Sequence, residues 1–192
     1  MPPNPTVSRD DILNAAISLI REHGSDSINA RSIASILNCS TKPLFRVYEN
    51  MEKLKEDMYS RALEFYYSFL KSNEIDESDA FLSIGKRYIQ FANKEKELFK
   101  YIFLSNNIQF GSLDELANLP DNRVVVEYLA TSTGLHEKAA RDLFLQQWLL
   151  VHGIATMFAT NPCIFDGQEI ERLLINTYIG NCKHLKSEEA SQ

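Results

Sequence analysis

The stretch at residues 29–54 constrains the fold more than any other part of the chain. Within it, Ile33, Ala34 and Leu37 recur at the spacing of one face of a short helix. A break at residues 38–40 precedes a second short helical pattern. Two short helices joined by a tight turn are typical of a helix-turn-helix, whose second helix can enter the major groove of DNA. An ordinary helical hairpin without a ligand is the alternative, because short helix pairs are common.

The residues at the helix ends suit this arrangement. Asn29 can cap the first helix, since its side-chain oxygen can accept a hydrogen bond from a free N–H of the first turn. Asn38 stands in the turn, where asparagine tolerates the left-handed conformation better than most residues do. Ser40 is expected to cap the second helix, and Leu44 and Val47 are expected to face inward.

The same stretch supplies a local group of basic residues. Lys42 and Arg46 lie one turn apart, so they share a face of the second helix. Arg46 can form two hydrogen bonds with a guanine, and a solvated surface is the alternative for both residues. We therefore expect the DNA contacts to lie on or beside the two short helices. The candidates are Asn29, Arg31, Ser40, Thr41, Lys42, Phe45, Arg46, Tyr48, Lys53 and Lys55.

Composition limits the classes of protein. The chain has 192 residues, of which 44% are hydrophobic and 24% are charged, as in ordinary globular proteins with a sizeable core. Its formal net charge of −6 argues against a protein that coats nucleic acid through bulk charge, so any DNA contact must be local. The three cysteines lack metal-ligand spacing and indicate reduced thiols, and we predict neither a metal site nor another cofactor.

The sequence predicts neither a membrane-spanning helix nor a signal peptide. No apolar run is expected to span a bilayer. The first residues lack the basic and apolar regions of a signal peptide. We therefore expect a cytoplasmic protein that does not bind membranes.

The rest of the chain has helical periodicity and no convincing strand, which predicts an all-α fold. We expect residues 1–7 to form a disordered arm and the polar tail from Lys186 to fray. Residues 105–121 are rich in helix breakers and predict a loop with one short turn. The expected helices cover residues 9–23, 51–71, 81–92, 98–103, 124–131, 137–160 and 166–183.

These features together resemble the TetR family of bacterial transcriptional regulators. The resemblance covers residues 12–24 and 32–54, and Trp148, His152 and Gly153 are similar to a Trp-x-x-x-His-Gly motif of one branch of the family. The family pattern of the head is I-A-x-x-x-G-V-S-x-x-x-L-Y-x-x-F-x-x-K-E-x-L. It is matched here by Ile33, Ala34, Ser40, Leu44, Phe45, Tyr48, Glu52 and Leu54.

The resemblance implies a three-helix head with a helix-turn-helix at residues 1–50, joined by a long helix to a helical domain at residues 51–192. The head would bind a double-stranded DNA operator as a repressor. The second domain would form a homodimer and bind a small, largely apolar effector that releases the DNA. The chain departs from the family where Asn38 replaces a glycine, Phe45 a tyrosine and Met51 a lysine. The last two changes remove phosphate contacts, which lysines of the next turn can replace in part.

The family resemblance also places an effector pocket among the aromatic residues of the middle helices. Gln147 and His152 are polar groups among apolar neighbours and can orient a ligand. Plain core packing is the alternative for each residue of this set. The candidate pocket residues are Tyr88, Phe99, Phe103, Tyr128, Phe144, Gln147, Trp148 and His152.

Glycines inside the last two long helices indicate a close approach of helices. Gly153 and Gly180 lie in apolar segments, where glycine costs about 1 kcal/mol relative to alanine. The approach can be across a subunit interface or within the chain, and the family resemblance favours the interface. The candidate interface residues are Gly153, Met157, Leu174 and Tyr178.

The sequence therefore predicts a ligand-responsive transcriptional regulator. No set of residues resembles a catalytic triad, a metal site or a phosphate-binding loop, so we do not expect an enzyme. The alternative is a helical ligand-binding or interaction protein whose DNA binding is weakened or lost. The residues Phe45 and Met51 and the acidic charge balance motivate that alternative.

Overall fold

The computed structural model describes residues 7–71, 80–105 and 111–191. Within these ranges every regular element is helical, and no strand is present. The predicted all-α class is therefore confirmed. The α-helices are α1 (Arg9–His23), α2 (Ala30–Ile36), α3 (Leu44–Val47), α4 (Met51–Lys71), α5 (Ala80–Lys94), α6 (Lys96–Phe103), α7 (Leu113–Ala117), α8 (Pro120–Thr133), α9 (Glu137–Thr160) and α10 (Gly167–Glu189), and a 3-10 helix covers Ser25–Ser27.

Local capping explains where three of the long helices begin. At α1, the Ser8 hydroxyl accepts from the Asp11 N–H at 3.1 Å, and the Asp11 carboxylate accepts in return from the Ser8 N–H at 2.9 Å. Asn50 accepts from the N–H of the third residue of α4 at 3.0 Å. Asp166 accepts from the Gln168 N–H at 2.9 Å at the start of α10. Each bond satisfies a donor that the first turn of a helix leaves free.

The predicted fraying of the tail from Lys186 is wrong, because α10 continues to Glu189. Two contacts hold this last turn. Leu185 is buried, and a Glu189 carboxylate oxygen accepts a hydrogen bond from the His136 N–H at 2.9 Å. The residue His136 precedes α9, so the end of α10 is tied to the beginning of α9.

Two other predictions concern segments that are described only in part. Residues 1–6 of the predicted arm and residues 106–110 of the predicted loop lie outside the described residues. The remainder of that loop contains α7 and the first residues of α8. The β-prone run at residues 124–126 is helical, as predicted, and proline occupies the first position of α8.

The described residues form two compact units. Residues 7–71 and 94–105 belong to the first, and residues 80–93 and 111–191 belong to the second. In the first unit α1 packs against α2, α4 and α6. The sequence-predicted boundary at residue 50 stays a prediction, and the compact unit extends past it because α4 and α6 both pack on α1.

Ion pairs reinforce the packing around α1. Arg21 binds both carboxylate oxygens of Glu95, at 2.7 and 2.6 Å, and its guanidinium lies 5.1 Å from the Phe65 ring centroid. Near the other end of α1, Arg61 of α4 donates to Asp10 and Asn14 at 2.5 and 2.9 Å. The two contacts fix α1 against α6 and α4 at both of its ends.

The second unit is built around α9, which packs against α7, α8 and α10. The buried core comes from all four of these helices and the segment before α9. It consists of Ala117, Val126, Leu129, Leu135, Ala139, Ala140, Leu143, Phe144 and Leu185.

The helix α9 also has the length and composition of a membrane span. Among the described residues it alone meets these criteria, with a mean hydropathy of 1.2 and 39% of the apolar window buried. The core helix of a globular protein meets the same criteria, so this finding assigns no location. Length alone therefore does not exclude a span, and the predicted absence of membrane binding stays a prediction.

Candidate functional site

Two local features of α2 and the segment after it agree with the sequence prediction, although residues 37–43 separate α2 from α3 instead of the predicted three-residue turn. The side-chain oxygen of Asn29 accepts from the N–H groups of Arg31 and Ser32, both at 3.0 Å, and caps α2. Asn38 has a φ of 49°, and it is the one non-glycine residue with a positive φ in the described part of the chain. Cys39 then donates its N–H to the Ala34 carbonyl at 3.0 Å, which closes the turn.

The helix α3 is shorter than predicted and begins at Leu44, so the prediction that Lys42 and Arg46 share a face of this helix is wrong. Pro43 precedes it without a capping side chain, so the prediction that Ser40 caps this helix is wrong. Leu44 is 1% exposed and faces inward, as predicted. Val47 is 39% exposed, so its predicted inward position is wrong, and Tyr48, at 6% exposed, takes the buried position instead.

Three basic residues of α2, α3 and the segment between them have no acidic partner among the described residues. Arg31, Lys42 and Arg46 are exposed, and none of them forms an ion pair with another described residue. The other cations of the first 61 residues are paired, with Lys53 bound to Glu56 and Lys55 to Glu52 among them. We call Arg31, Lys42 and Arg46 the cationic surface.

Two further candidates lie between α2 and α3. Ser40 is exposed, and Thr41 is partly buried and accepts a hydrogen bond from the Phe45 N–H through its carbonyl.

Tyr48 lies inside the first unit instead of facing solvent. Its hydroxyl accepts from Arg9 Nε at 3.3 Å and is also hydrogen-bonded to the Asp57 carboxylate. Arg9 Nε donates to that carboxylate as well, at 2.8 Å. The three side chains connect the start of α1, the end of α3 and the first half of α4. Sequence reasoning did not identify this cluster, because its members are far apart in the chain.

The electrostatics of this cluster favour the charged carboxylate. Burial raises the pKa of Tyr48, so its hydroxyl keeps its proton at neutral pH. Burial also raises the pKa of Asp57, but the hydrogen bonds from Arg9 and Tyr48 outweigh it, and the pKa of Asp57 is lowered overall.

The predicted pocket residues are divided between the two units. Phe99 and Phe103 belong to the first unit, where their rings lie 5.1 Å apart and the Phe103 ring lies 5.0 Å from Tyr66. Phe144 is part of the core of the second unit. Tyr128 is 40% exposed on α8.

Three of the predicted pocket residues do meet, between α5 and α9. The Tyr88 hydroxyl lies 2.9 Å from His152 Nδ1, and the Trp148 and His152 rings stack with centroids 4.6 Å apart. Burial lowers the pKa of His152, so the imidazole is neutral at neutral pH. We call these three residues the aromatic cluster.

Two buried polar atoms of α9 have no hydrogen-bond partner among the described residues. Gln147 is 2% exposed and its Nε2 is unpaired. The Thr156 hydroxyl is also buried and unpaired, which the sequence did not reveal. A buried unpaired donor typically costs about 1–3 kcal/mol, so Gln147 is costly unless something binds it. No group of three or more metal-ligating side chains is found in the described part of the chain.

The glycines of α9 and α10 face open space. No atom of the chain lies within 4 Å of the position that a Cβ would take at Gly153 or Gly180. On α9, Leu149 and Met157 are 48% and 45% exposed, one turn before and one turn after Gly153. Close approach of helices within the described chain therefore does not explain either glycine.

The other two predicted interface residues lie inside the unit. Leu174 is 2% exposed, and the Tyr178 ring lies 5.6 Å from the Phe81 ring. The exposed apolar residues of α10 are instead Leu173 and Ile179, at 47% and 44%. Gly153 and Met157 thus face solvent in the single chain, whereas Leu174 does not.

We expect Asp57→Asn to lower the free energy of unfolding at neutral pH. The difference in this free energy between the two proteins should become smaller as the pH falls below 3.8, the ordinary pKa of the Asp57 carboxyl group. The folded pKa is lowered, so the charged carboxylate stabilises the protein above its ordinary pKa. That contribution is lost as the pH falls through the folded value. Urea denaturation followed by circular dichroism measures the difference between the two proteins at each pH.

Glu56→Gln is the matched control, because Glu56 lies next to Asp57 and, among the described residues, its carboxylate forms one ion pair, with exposed Lys53. Exposed ion pairs contribute little to stability, so we expect almost no change in the free energy of unfolding, at neutral pH or below pH 3.8. A loss of stability in Asp57→Asn that did not depend on pH would show that the charge of the carboxylate does not matter.

Comparison with known proteins does not place the chain in a family. No family model matches it, and no curated protein matches it at a significant level of sequence similarity. The resemblance to TetR regulators stays a prediction, and the geometry of the two units is the basis for a functional proposal.

Proposed function

We propose that the protein is a TetR-like DNA-binding repressor, in which α2 and α3 form a helix-turn-helix and a small, largely apolar ligand releases the DNA. The cationic surface carries this proposal. Arg31, Lys42 and Arg46 are exposed on α2, α3 and the segment between them, and they have no acidic partner among the described residues. In a chain with a net charge of −6, this local excess of positive charge suits a polyanion.

The pairing of the other cations makes the argument more specific. A lysine that already binds a carboxylate must give up that contact before it binds a phosphate, whereas an unpaired one gains a charge-assisted hydrogen bond directly. Lys53 and Lys55 are therefore weaker candidates than Lys42 and Arg46. Arg46 lies opposite Leu44 of α3 and opposite Tyr48, the residue after α3, both of which are buried, and this suits a side chain that enters a groove.

A second candidate function is a helical ligand-binding or interaction protein without DNA binding. The buried hydroxyl of Tyr48 and the ion pairs of Lys53 and Lys55 favour it, because they reduce the number of groups available to phosphates. The two candidates differ in one measurable property, which is saturable binding to a specific duplex.

We expect the double variant Lys42→Ala with Arg46→Ala to bind operator DNA on the order of 100-fold more weakly than the unmodified protein, since each base contact of this kind contributes about 1–3 kcal/mol. Fluorescence anisotropy with labelled duplexes from the upstream region of its own gene measures the affinity at two salt concentrations. The far-ultraviolet circular dichroism of the variant should not change, because both side chains are exposed.

The control is Lys53→Ala with Lys55→Ala, which removes the same charge from the same unit at two paired positions. It should weaken binding much less than the first double variant does. Equal losses would mean that only total charge matters. No saturable binding by the unmodified protein at low salt would favour the ligand-binding alternative.

We also propose that two copies of the chain associate through the solvent-exposed sides of α9 and α10. Gly153 and Gly180 have no internal neighbour that would require a glycine, and exposed apolar side chains flank both positions. A helix of a second copy can approach closely at a glycine, and its approach would bury Met157 and Leu173. A dimer also gives two heads, which can read successive turns of the same face of DNA.

We expect Met157→Glu combined with Leu173→Glu to convert a dimer into a monomer, because both carboxylates would be buried without a partner in the interface. Sedimentation velocity measures the mass of the particle. Val124→Glu is the control, since Val124 is 65% exposed on α8 and should leave the dimer intact. A dimer that survives the double change, or a monomeric unmodified protein, would contradict the proposal.

The proposed ligand site lies beside the aromatic cluster of the second unit. The rings of Tyr88, Trp148 and His152 supply apolar surface. The unpaired Nε2 of Gln147 supplies a donor for an oxygen of the ligand. The same helix, α9, carries the proposed dimer surface, so a ligand that moves α9 would change the spacing of the two heads.

We expect Gln147→Met to raise the free energy of unfolding by about 1 kcal/mol, because it removes a buried amide without a partner. Chemical denaturation measures this free energy. Gln146→Met, at an exposed neighbouring position, is the control and should change the free energy of unfolding little.

A compound that raises the melting temperature of the unmodified protein should lose most of this effect in Gln147→Met. A destabilised Gln147→Met would show that the amide is already satisfied.

A further inference from the structure

The cationic surface has exposed apolar side chains on its edges. Phe45 and Val47 are 48% and 39% exposed on α3, on either side of Arg46. We propose that Phe45 and Val47 contact the 5-methyl groups of thymines in the major groove and so select A·T pairs at fixed positions of the operator. This inference rests on the proposed DNA-binding function.

The geometry of α3 sets the positions of these side chains. Leu44 and Tyr48 are buried, so they define the inner side of the helix. Successive residues of a helix are about 100° apart, which places Arg46 on the outer side and Phe45 and Val47 on its two flanks. When the outer side of α3 enters a groove, both flanks face its floor and walls.

The chemistry of the groove provides a matching partner for these flanks. The thymine methyl is the apolar group that the base edges display in the major groove, and apolar side chains contact it. Phe45 has no polar atom with which to bind a phosphate, so any contribution that it makes to DNA binding is apolar. A protein partner would also cover Phe45, but three cations of α2, α3 and the segment between them, unpaired among the described residues, favour a polyanion.

The experiment first selects duplexes from a random library with the full-length protein, and then replaces single thymines of the selected site by deoxyuridine. This change removes one methyl group and keeps every hydrogen-bonding group of the base. We expect at least one position at which the change weakens binding about fourfold, the effect of one buried methyl group.

Variants then assign the contact to a residue. Phe45→Ala or Val47→Ala should bind the thymine and deoxyuridine duplexes equally at that position. Phe45→Tyr keeps the ring and should keep the discrimination, and Phe45→Ser, which also removes the apolar surface, replaces Phe45→Ala if the latter does not fold. Arg46→Ala is the matched control on α3, because it should weaken both duplexes and leave their ratio unchanged.

The outcomes separate this inference from the function on which it rests. Selective DNA binding with no effect of deoxyuridine at any position overturns the thymine contact alone. Discrimination that persists in both alanine variants also overturns it, because other residues would then read the methyl group. If the unmodified protein selects no duplex at all, the DNA-binding function fails and this inference fails with it.

Discussion

The first unit depends on the burial of α1 between its neighbours. Ile12, Ala16 and Ile20 of this helix are fully buried, and α2, α4 and α6 all pack against it. Ion pairs then fix its two ends, through Arg9 near the beginning and Arg21 near the end. The short helix α3 has only four residues and is too short to hold its position alone, so its orientation follows from Leu44 and Tyr48, which are anchored in this packing. The exposed side of α3 is therefore presented by a rigid support.

The ionic contacts of this unit divide its cations by role. Arg9, Arg21 and Arg61 bind carboxylates of other segments of the unit, and these pairs connect α1 with α4 and α6. The cationic surface has no such partners among the described residues, and it contributes nothing to the fold through ion pairs. The paired arginines thus stabilise the packing of the unit, whereas the unpaired cations keep their charge available for an external partner.

Local signals in the sequence predicted most of the long helices but not the start of α3 or the end of α10, and long-range contacts were not predictable. Ser8 and Asn50 act on N–H groups three residues away, so the starts of α1 and α4 followed from the sequence. The prediction that Lys42 and Arg46 share a helical face is wrong, because α3 begins at Leu44 and Lys42 precedes it. That neither residue forms an ion pair with another described residue required the structure. Tyr48 was expected to face DNA because of its position in the motif, but its hydroxyl is bound to a residue 39 positions away. Periodicity can place a side chain on a face of a helix, but it does not reveal which distant group meets that face.

The helix α9 provides a physical reason to expect coupling between the two sites proposed for the second unit. One of its sides carries Leu149, Gly153 and Met157, which are exposed and proposed to meet a second copy. Other positions of the same two turns carry Trp148 and His152 of the aromatic cluster. A packed helix moves as a rigid rod, because protein interiors are too dense for one side of a helix to shift without the other. A ligand that bound more tightly to one position of α9 would thus favour one arrangement of the dimer, and the two affinities would be linked in both directions.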